Sequence, residues 1–152
     1  MNTRSDDTPY ADRPAAGAVE AEGRHDHERY FLETVGVGLQ ALLAPVPGEA
    51  AEGIPAAEDE PRYRRVRVAR QEEDASLPLG AWERELKRAD WTVAGGLAAR
   101  GLAGASKDLQ YAAWLLEALI ARTGFDALAP CLGLIDALIV RYGDRLHPHD
   151  PE

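Results

Sequence analysis

Two histidine clusters are the part of this 152-residue chain that most resembles a set of metal ligands. One is the His-Asp-His run at residues 25–27, and the other spans residues 147–150. A metal site needs several ligands in a fixed geometry, supported by a second layer of hydrogen bonds. Both clusters lie in polar segments that we expect to be mobile. The sequence therefore predicts no metal site.

The single cysteine, Cys131, is the candidate nucleophile. It lies in an apolar run with no histidine near it in the sequence, whereas a reactive thiolate needs a base or a positive neighbour. We interpret it as a small core residue in a reducing compartment. The carboxylates are spread along the chain, and the Gly95-Gly96 pair follows no strand and has no phosphate-binding signature. We therefore predict no catalytic residue, no cofactor and no enzyme.

The run RYRRVRVARQEED at residues 62–74 has five arginines within nine residues. Such a run can bind nucleic acid, and its apolar alternation hints at a strand. However, the acidic residues 72–74 follow at once and can pair with the arginines at helical spacing. The net charge of −9 disfavours nucleic acid and an anionic membrane surface, because both bind a net basic face. We predict a solvated helix face.

Aromatic and basic side chains converge at residues 82–91. Trp82 and Trp91 flank a charged segment that contains Arg88. Protein interfaces concentrate tryptophan and arginine at their hot spots. We therefore take Trp82, Arg88 and Trp91 as candidate protein-interaction residues, with structural packing of either tryptophan as the alternative. Trp114 lies in an apolar helix and is expected in the core.

Helices must position these residues, because apolar side chains recur at helical spacing from residue 28 onward. Residues 1–27 are nearly free of large apolar side chains, so we expect a disordered acidic, Ala- and Pro-rich tail. The fold class predicted is all-α, with about five to six helices arranged as antiparallel hairpins. The predicted helices cover residues 28–44, 62–74, 81–89, 91–102, 107–122 and 126–142.

Local signals set the ends and faces of these helices. Asp90, Ser106 and Asp126 are the expected N-caps. Gly124 is the expected C-cap, with Phe125 closing that turn hydrophobically. The helix at 91–102 is rich in small residues, so we expect it to lie between others. The inward faces of the last two helices are predicted to carry Leu109, Leu116, Leu119, Ile120, Leu132, Ile135, Leu138, Ile139 and Tyr142.

The sequence predicts neither an export signal nor a membrane span. The first residues contain no apolar stretch, and the run AAWLLEALIA is too short and includes Glu117. We expect a soluble, cytoplasmic protein.

Five sequence blocks follow one another along the chain: LLAPVPG at 42–48, WERELKRADW at 82–91, SKDLQYAAWLLEAL at 106–119, TGFDALAPCLGLIDALIVRY at 123–142, and LHP at 146–148. Their order and spacing resemble the ImpA-type N-terminal domain of the TssA family, which takes part in assembling the bacterial type VI secretion apparatus. The resemblance covers roughly residues 39–148. Gly143 stands where the family usually has a tryptophan. TssA proteins continue past this domain, so the chain is either a piece of a longer protein or a short stand-alone relative.

The composition predicts the tail at 1–27, and the resemblance implies an ImpA-type domain at 28–148, followed by a C-terminal end at 149–152. The resemblance also implies a non-enzymatic domain that contacts baseplate, tube or sheath components. The net charge and the missing span predict no nucleic acid and no membrane insertion. A homo-oligomer is left open. The residues alone indicate only a compact acidic helical module. A helical-repeat adaptor that binds a peptide or partner helix outside secretion is therefore the alternative.

Overall fold

The computed structural model describes residues 16–74, 76 and 85–149, and its regular elements there are helical. Within that part, β pairing is limited to two isolated bridges, Gly53 with Ser106 and Asp108 with His147. The all-α prediction is confirmed. The helices are α1 (Ala16–Val35), α2 (Leu39–Leu43), α3 (Arg62–Ala69), α4 (Trp91–Gly104), α5 (Leu109–Thr123) and α6 (Leu128–Tyr142), with 3-10 turns at Ala56–Glu58, Gly124–Ala127 and Gly143–Arg145.

Helix α1 begins at Ala16, so the expectation of a disordered segment reaching residue 27 is wrong for residues 16–27. Residues 1–15 lie outside the described part. The stretch from Ala16 is rich in alanine, glutamate and arginine, which are good helix formers. It continues into the turn that carries Phe31, whose side chain is fully buried. Packing of that turn fixes one end of the helix, and residues of good propensity extend it.

Gly36 divides the helix predicted over residues 28–44. Its φ of +70° is a left-handed conformation that favours glycine. Helix α1 therefore ends at Val35, and α2 begins at Leu39. The apolar positions predicted in this stretch are still correct for Leu39 and Leu42, which are buried.

Helix α3 ends five residues before the predicted boundary at residue 74 because the chain after it pairs with the segment leading into α4. The Asp90 amide donates to the Ala69 carbonyl at 2.7 Å, and the Glu73 amide donates to the Lys87 carbonyl at 2.9 Å. Residues 85–90 are consequently not helical. The rest of the helix predicted at 81–89 lies outside the described residues.

Helix α4 lies between other helices, as its small residues predicted, and contacts α1, α2, α3 and α5. A Cβ atom on Gly101 would lie 2.6 Å from the Tyr111 ring, so this glycine permits the close approach of α4 and α5. The predicted cap of α4 is confirmed, because the Val93 amide donates to Asp90 Oδ1 at 3.0 Å.

Helix α5 has a different cap from the one predicted. The carboxylate of Asp108, not the hydroxyl of Ser106, accepts from the Gln110 amide at 2.8 Å. At the other end Gly124 has φ +65°, as expected of a C-cap glycine. Phe125 does not close that turn, since its side chain is 88% exposed.

The buried face of α5 is turned by one residue from the prediction. Leu119 is fully buried as predicted, but Leu115 is fully buried as well, whereas Leu116 is only partly buried at the edge of the core. Tyr111 and Trp114 are buried on the same helix, and aromatic rings of this size contribute a large buried area.

The buried face of α6 is also turned. Leu138 and Tyr142 are buried as predicted, but Leu132 is 54% exposed and Ile139 is 49% exposed. Leu134 occupies the core in their place, together with Cys131, which was predicted there. Asp126 lies in a 3-10 turn, and α6 has no side-chain cap.

The stretch Leu109–Arg145 is long and apolar enough to count as a candidate membrane span by length and composition, with a hydropathy of 1.6 in its best window. The left-handed Gly124 divides it into α5 and α6, each 15 residues long. A span needs about 20 consecutive apolar residues. Each of the two helices also buries one face in the core, which is the pattern of core helices.

Candidate protein-interaction site

Lys107 is a fully buried charged side chain in the turn between α4 and α5. Its Nζ atom donates to the Leu42 carbonyl at 2.7 Å and to the Leu102 carbonyl. These carbonyls belong to the last turns of α2 and α4, where carbonyls lack intrahelical partners and the helix dipole favours a cation. Burial lowers the pKa of Lys107 to about 8. The lysine therefore holds two helix ends together.

Asp108 and His147 extend this arrangement. Asp108 Oδ2 accepts from the Ala56 amide at 2.8 Å. The His147 amide donates to the Lys107 carbonyl at 3.0 Å, and the His147 ring Nε2 lies 3.0 Å from the Gly53 carbonyl oxygen. The expected mobility of residues 147–150 is therefore wrong for His147, which is buried. We name these four buried polar residues the polar hub: Ser106, Lys107, Asp108 and His147.

The polar hub does not have the geometry of an active site. Ser106 Oγ and His147 Nδ1 are buried and have no hydrogen-bond partner within the described residues. Lys107 directs its amine at carbonyls, not at a nucleophile. A serine with 0% exposure offers no surface to a substrate. The residues of the polar hub stabilise the fold.

Cys131 is a core residue, as the sequence predicted. Its side chain is 1% exposed, and burial raises the pKa of the thiol to about 12. The thiol is therefore protonated at neutral pH and does not supply a nucleophile. Across the described part of the chain, no group of three or more His, Cys, Asp or Glu residues is placed to hold a metal ion.

The arginines in and just after α3 divide into two sets. Those with ion pairs are Arg62 with Asp59, Arg64 with Glu60 at 3.7 Å, and Arg70 with Glu117 at 2.5 Å. The acids come from the turn before α3 and from α5. Residues 72–74 do not lie at helical spacing from these arginines, because α3 ends at Ala69. Within the described residues, the guanidinium groups of Arg65 and Arg67 have neither an ion pair nor a hydrogen bond.

A surface groove of about 420 Å³ lies between α3 and the segment that leads into α4. Its floor is apolar and includes Ala69, Val68 with 47% exposure, and Val93 with 40% exposure. Among the described residues, four cationic side chains and one carboxylate also line it: Arg64, Arg65, Lys87, Arg88 and Asp90. We name this the basic groove.

Hydrogen bonds hold the two sides of the basic groove together. Two are the backbone bonds from Asp90 to Ala69 and from Glu73 to Lys87. In addition, the Lys87 amide donates to Glu73 Oε2 at 2.9 Å. The Lys87 amine donates to Gln71 Oε1 at 2.6 Å. The groove is therefore formed without a ligand.

The family model described as ImpA, N-terminal, type VI secretion system matches residues 43–152. The chain belongs to this family. Its fold is similar to a solved structure described as the N-terminal domain including the conserved ImpA_N region of the TssA component of the type VI secretion system from Burkholderia cenocepacia. That similarity has a TM-score of 0.61 and 25% sequence identity, and it covers 76% of this chain and 41% of that chain. A comparison with curated proteins finds no match.

In this ImpA N-terminal domain, the polar hub joins three of the five sequence blocks that carry the resemblance. The block at 42–48 supplies the Leu42 carbonyl, the block at 106–119 supplies Lys107, and the block at 146–148 supplies His147. These blocks therefore have a structural explanation that requires no ligand.

The three predicted interaction residues have different positions. Arg88 is exposed and lines the basic groove. Trp91, the first residue of α4, is half-buried against the core, which leaves only part of it for a partner. Trp82 lies outside the described residues. Trp114 is in the core, as predicted, with its ring centre 4.9 Å from that of Tyr63.

The other side of the groove was not predicted from the sequence. Arg64 and Arg65 were expected on a solvated helix face. One signal was available: Val66 and Val68 are two positions apart, so in a helix they cannot share one buried face. Val66 is buried and Val68 is exposed beside the arginines. An exposed valine in an arginine run indicates a surface that can be covered.

Proposed function

We propose that this domain holds parts of the type VI secretion machine together by binding proteins, namely baseplate, tube or sheath components, and that it catalyses no reaction. The basic groove is the observation that supports this proposal most directly. It combines exposed apolar side chains with cations, and Arg65 and Arg88 have no partner within the described residues. This is the composition of a protein-binding surface.

The surface that we assign to binding is centred on Arg88, with Trp91 beside it at the start of α4. Trp82 belongs to the same proposal, although the structure does not describe it. Arginine and tryptophan contribute strongly at hot spots because they combine apolar area with directed hydrogen bonds. The polar hub is not part of this surface, since its side chains are buried.

We also propose that the domain works in the cytoplasm, without nucleic acid and without membrane insertion. A homo-oligomer remains a prediction with no assigned surface. Light scattering on the purified chain at micromolar concentration checks it, since the mass distinguishes a monomer from a closed assembly.

The test is a pull-down with the tagged full chain from a bacterium with an intact type VI secretion system. We expect baseplate, tube or sheath components in the recovered material, and less of them with Arg88→Glu. Arg67→Glu is the matched control, because Arg67 is exposed on α3 but does not line the groove. Circular dichroism confirms that both variants are folded.

Two results would contradict the proposal. If the parent chain recovers none of these components, the alternative of an adaptor outside secretion gains support. If Arg88→Glu recovers the same components as Arg67→Glu, the domain binds through another surface.

A further inference from the structure

The charge of the basic groove is opposite to that of the protein. The chain carries a net charge of −9. Among the described residues, the groove lining nevertheless has four cationic side chains and one carboxylate, Asp90. That carboxylate already accepts from the Val93 amide at the start of α4. Local positive charge on an acidic protein favours an acidic partner and repels a second basic surface.

The cations at the groove are available to a partner. Arg65 and Arg88 have no ion pair within the described residues. Arg64 is only loosely paired with Glu60, at 3.7 Å, and its side chain is 75% exposed. An exposed pair of this kind contributes little to stability. A carboxylate from a partner can therefore bind these side chains without breaking a strong internal contact.

The floor indicates what else the partner must provide. Val68 and Val93 leave apolar area in contact with water, and covering it is favourable in proportion to that area. A small anion would leave the floor uncovered, and its attraction to exposed arginines would be screened by salt. Among the described residues that line the groove there is no aromatic side chain on which a base could stack.

We infer that the basic groove binds an acidic segment of a partner protein that inserts a large apolar side chain between Val68 and Val93. The acidic residues of the segment then contact Arg64, Arg65 and Arg88. This inference rests on the proposed function of the domain in protein binding and specifies the chemistry of the partner.

A displayed library of random 16-residue peptides, selected on the full chain, tests the inference. We expect the selected peptides to be rich in Asp and Glu and to share a large apolar residue. The double variant Arg65→Glu/Arg88→Glu should no longer select them. For a synthetic copy of the most enriched peptide, we expect at least tenfold weaker binding to the double variant in fluorescence anisotropy. Binding to the parent should weaken as salt is raised.

Arg67→Glu is the control, and its affinity for the peptide should equal that of the parent. If circular dichroism shows that Arg65→Glu/Arg88→Glu is unfolded, Arg65→Gln/Arg88→Gln replaces it. We then expect a smaller loss of peptide binding. Selected peptides without net negative charge, an equal loss in Arg67→Glu, or no enrichment at all would overturn the inference. So would tighter binding of a 20-nucleotide single strand than of any selected peptide.

The peptide and pull-down experiments separate this inference from the proposed function. If acidic peptides bind the groove but no secretion component is recovered, the proposed function fails and the inference stands. If components are recovered equally by the parent and by Arg65→Glu/Arg88→Glu, the inference and the surface assigned around Arg88 fail, and only the binding of secretion components stands.

Discussion

The polar hub and the basic groove both concentrate charge, but their charges have different partners. In the hub, Lys107 is fully buried and its amine donates to two carbonyls of the same chain. In the groove, Arg65 and Arg88 are exposed, and within the described residues they bind nothing. Burial with internal partners indicates a structural role, and exposure without partners next to apolar area indicates a binding role. Substitutions in the hub should therefore affect stability, and substitutions in the groove should affect binding.

The largest effect is expected for Lys107→Ala. Removing the amine leaves two buried carbonyls without a donor, and each unsatisfied group costs about 1–3 kcal/mol. We expect the free energy of unfolding to fall by roughly 4 kcal/mol, measured by urea denaturation. If Lys107→Ala unfolds at the same urea concentration as the parent, the hub does not hold the helix ends together.

The next effect compares two neighbouring leucines of α5. Leu115 is fully buried and Leu116 is partly buried. Leu115→Ala should cost about 3 kcal/mol through lost burial and a cavity, and Leu116→Ala about 1 kcal/mol. Thermal denaturation of both variants measures the difference. Equal costs, or a larger cost at Leu116, would favour the face predicted from the sequence over the one in the structure.

A smaller effect follows from the lowered pKa of Lys107. Because burial lowers that pKa from 10.5 to about 8, the folded protein binds fewer protons than the unfolded chain between those values. The contribution of this group to the free energy of unfolding therefore rises with pH in that window. We expect a gain of roughly 1 kcal/mol between pH 7.5 and pH 9, absent in Lys107→Met. The raised pKa of Cys131, about 12, acts in the opposite direction as the unfolded thiol ionises around its ordinary value of 9, so the gain is measured as the difference between the parent and Lys107→Met, which share this cysteine.

The smallest stability effect is expected in the groove. Arg88 is exposed and unpaired in the described part of the chain, so Arg88→Glu should change the free energy of unfolding by less than about 0.5 kcal/mol. The same substitution should weaken recovery of secretion components. A large loss of stability in Arg88→Glu would remove the distinction between the hub and the groove.

The helical class and the cap at Asp90 could be predicted because each depends on local spacing or a local hydrogen bond. The buried faces of α5 and α6 could not, because the apolar residues of both helices extend around more than one face. Leu115 and Leu116 are equally apolar, and only the neighbouring helices decide which one is buried. The prediction chose Leu116, and the structure buries Leu115.

The candidate site was predictable in part for a related reason. Arg88 was predicted because two tryptophans flank its segment of the sequence. Arg65 and Val68 were missed because they lie at least 20 residues before Arg88 along the chain. They reach Arg88 only through the backbone bonds between residues 69–73 and 87–90. Likewise, His147 was placed in a mobile end because its partner at Gly53 is distant in sequence.

The burial of Lys107 has a practical consequence, because the chain contains only one other lysine, Lys87. Lys87 lies on the rim of the groove, and Lys107 lies in the hub. An amine-acylating reagent should therefore label Lys87 at once and Lys107 only when that part of the domain opens transiently. Two peptides in one mass spectrum would then report separately on occupancy of the groove and on opening of the fold.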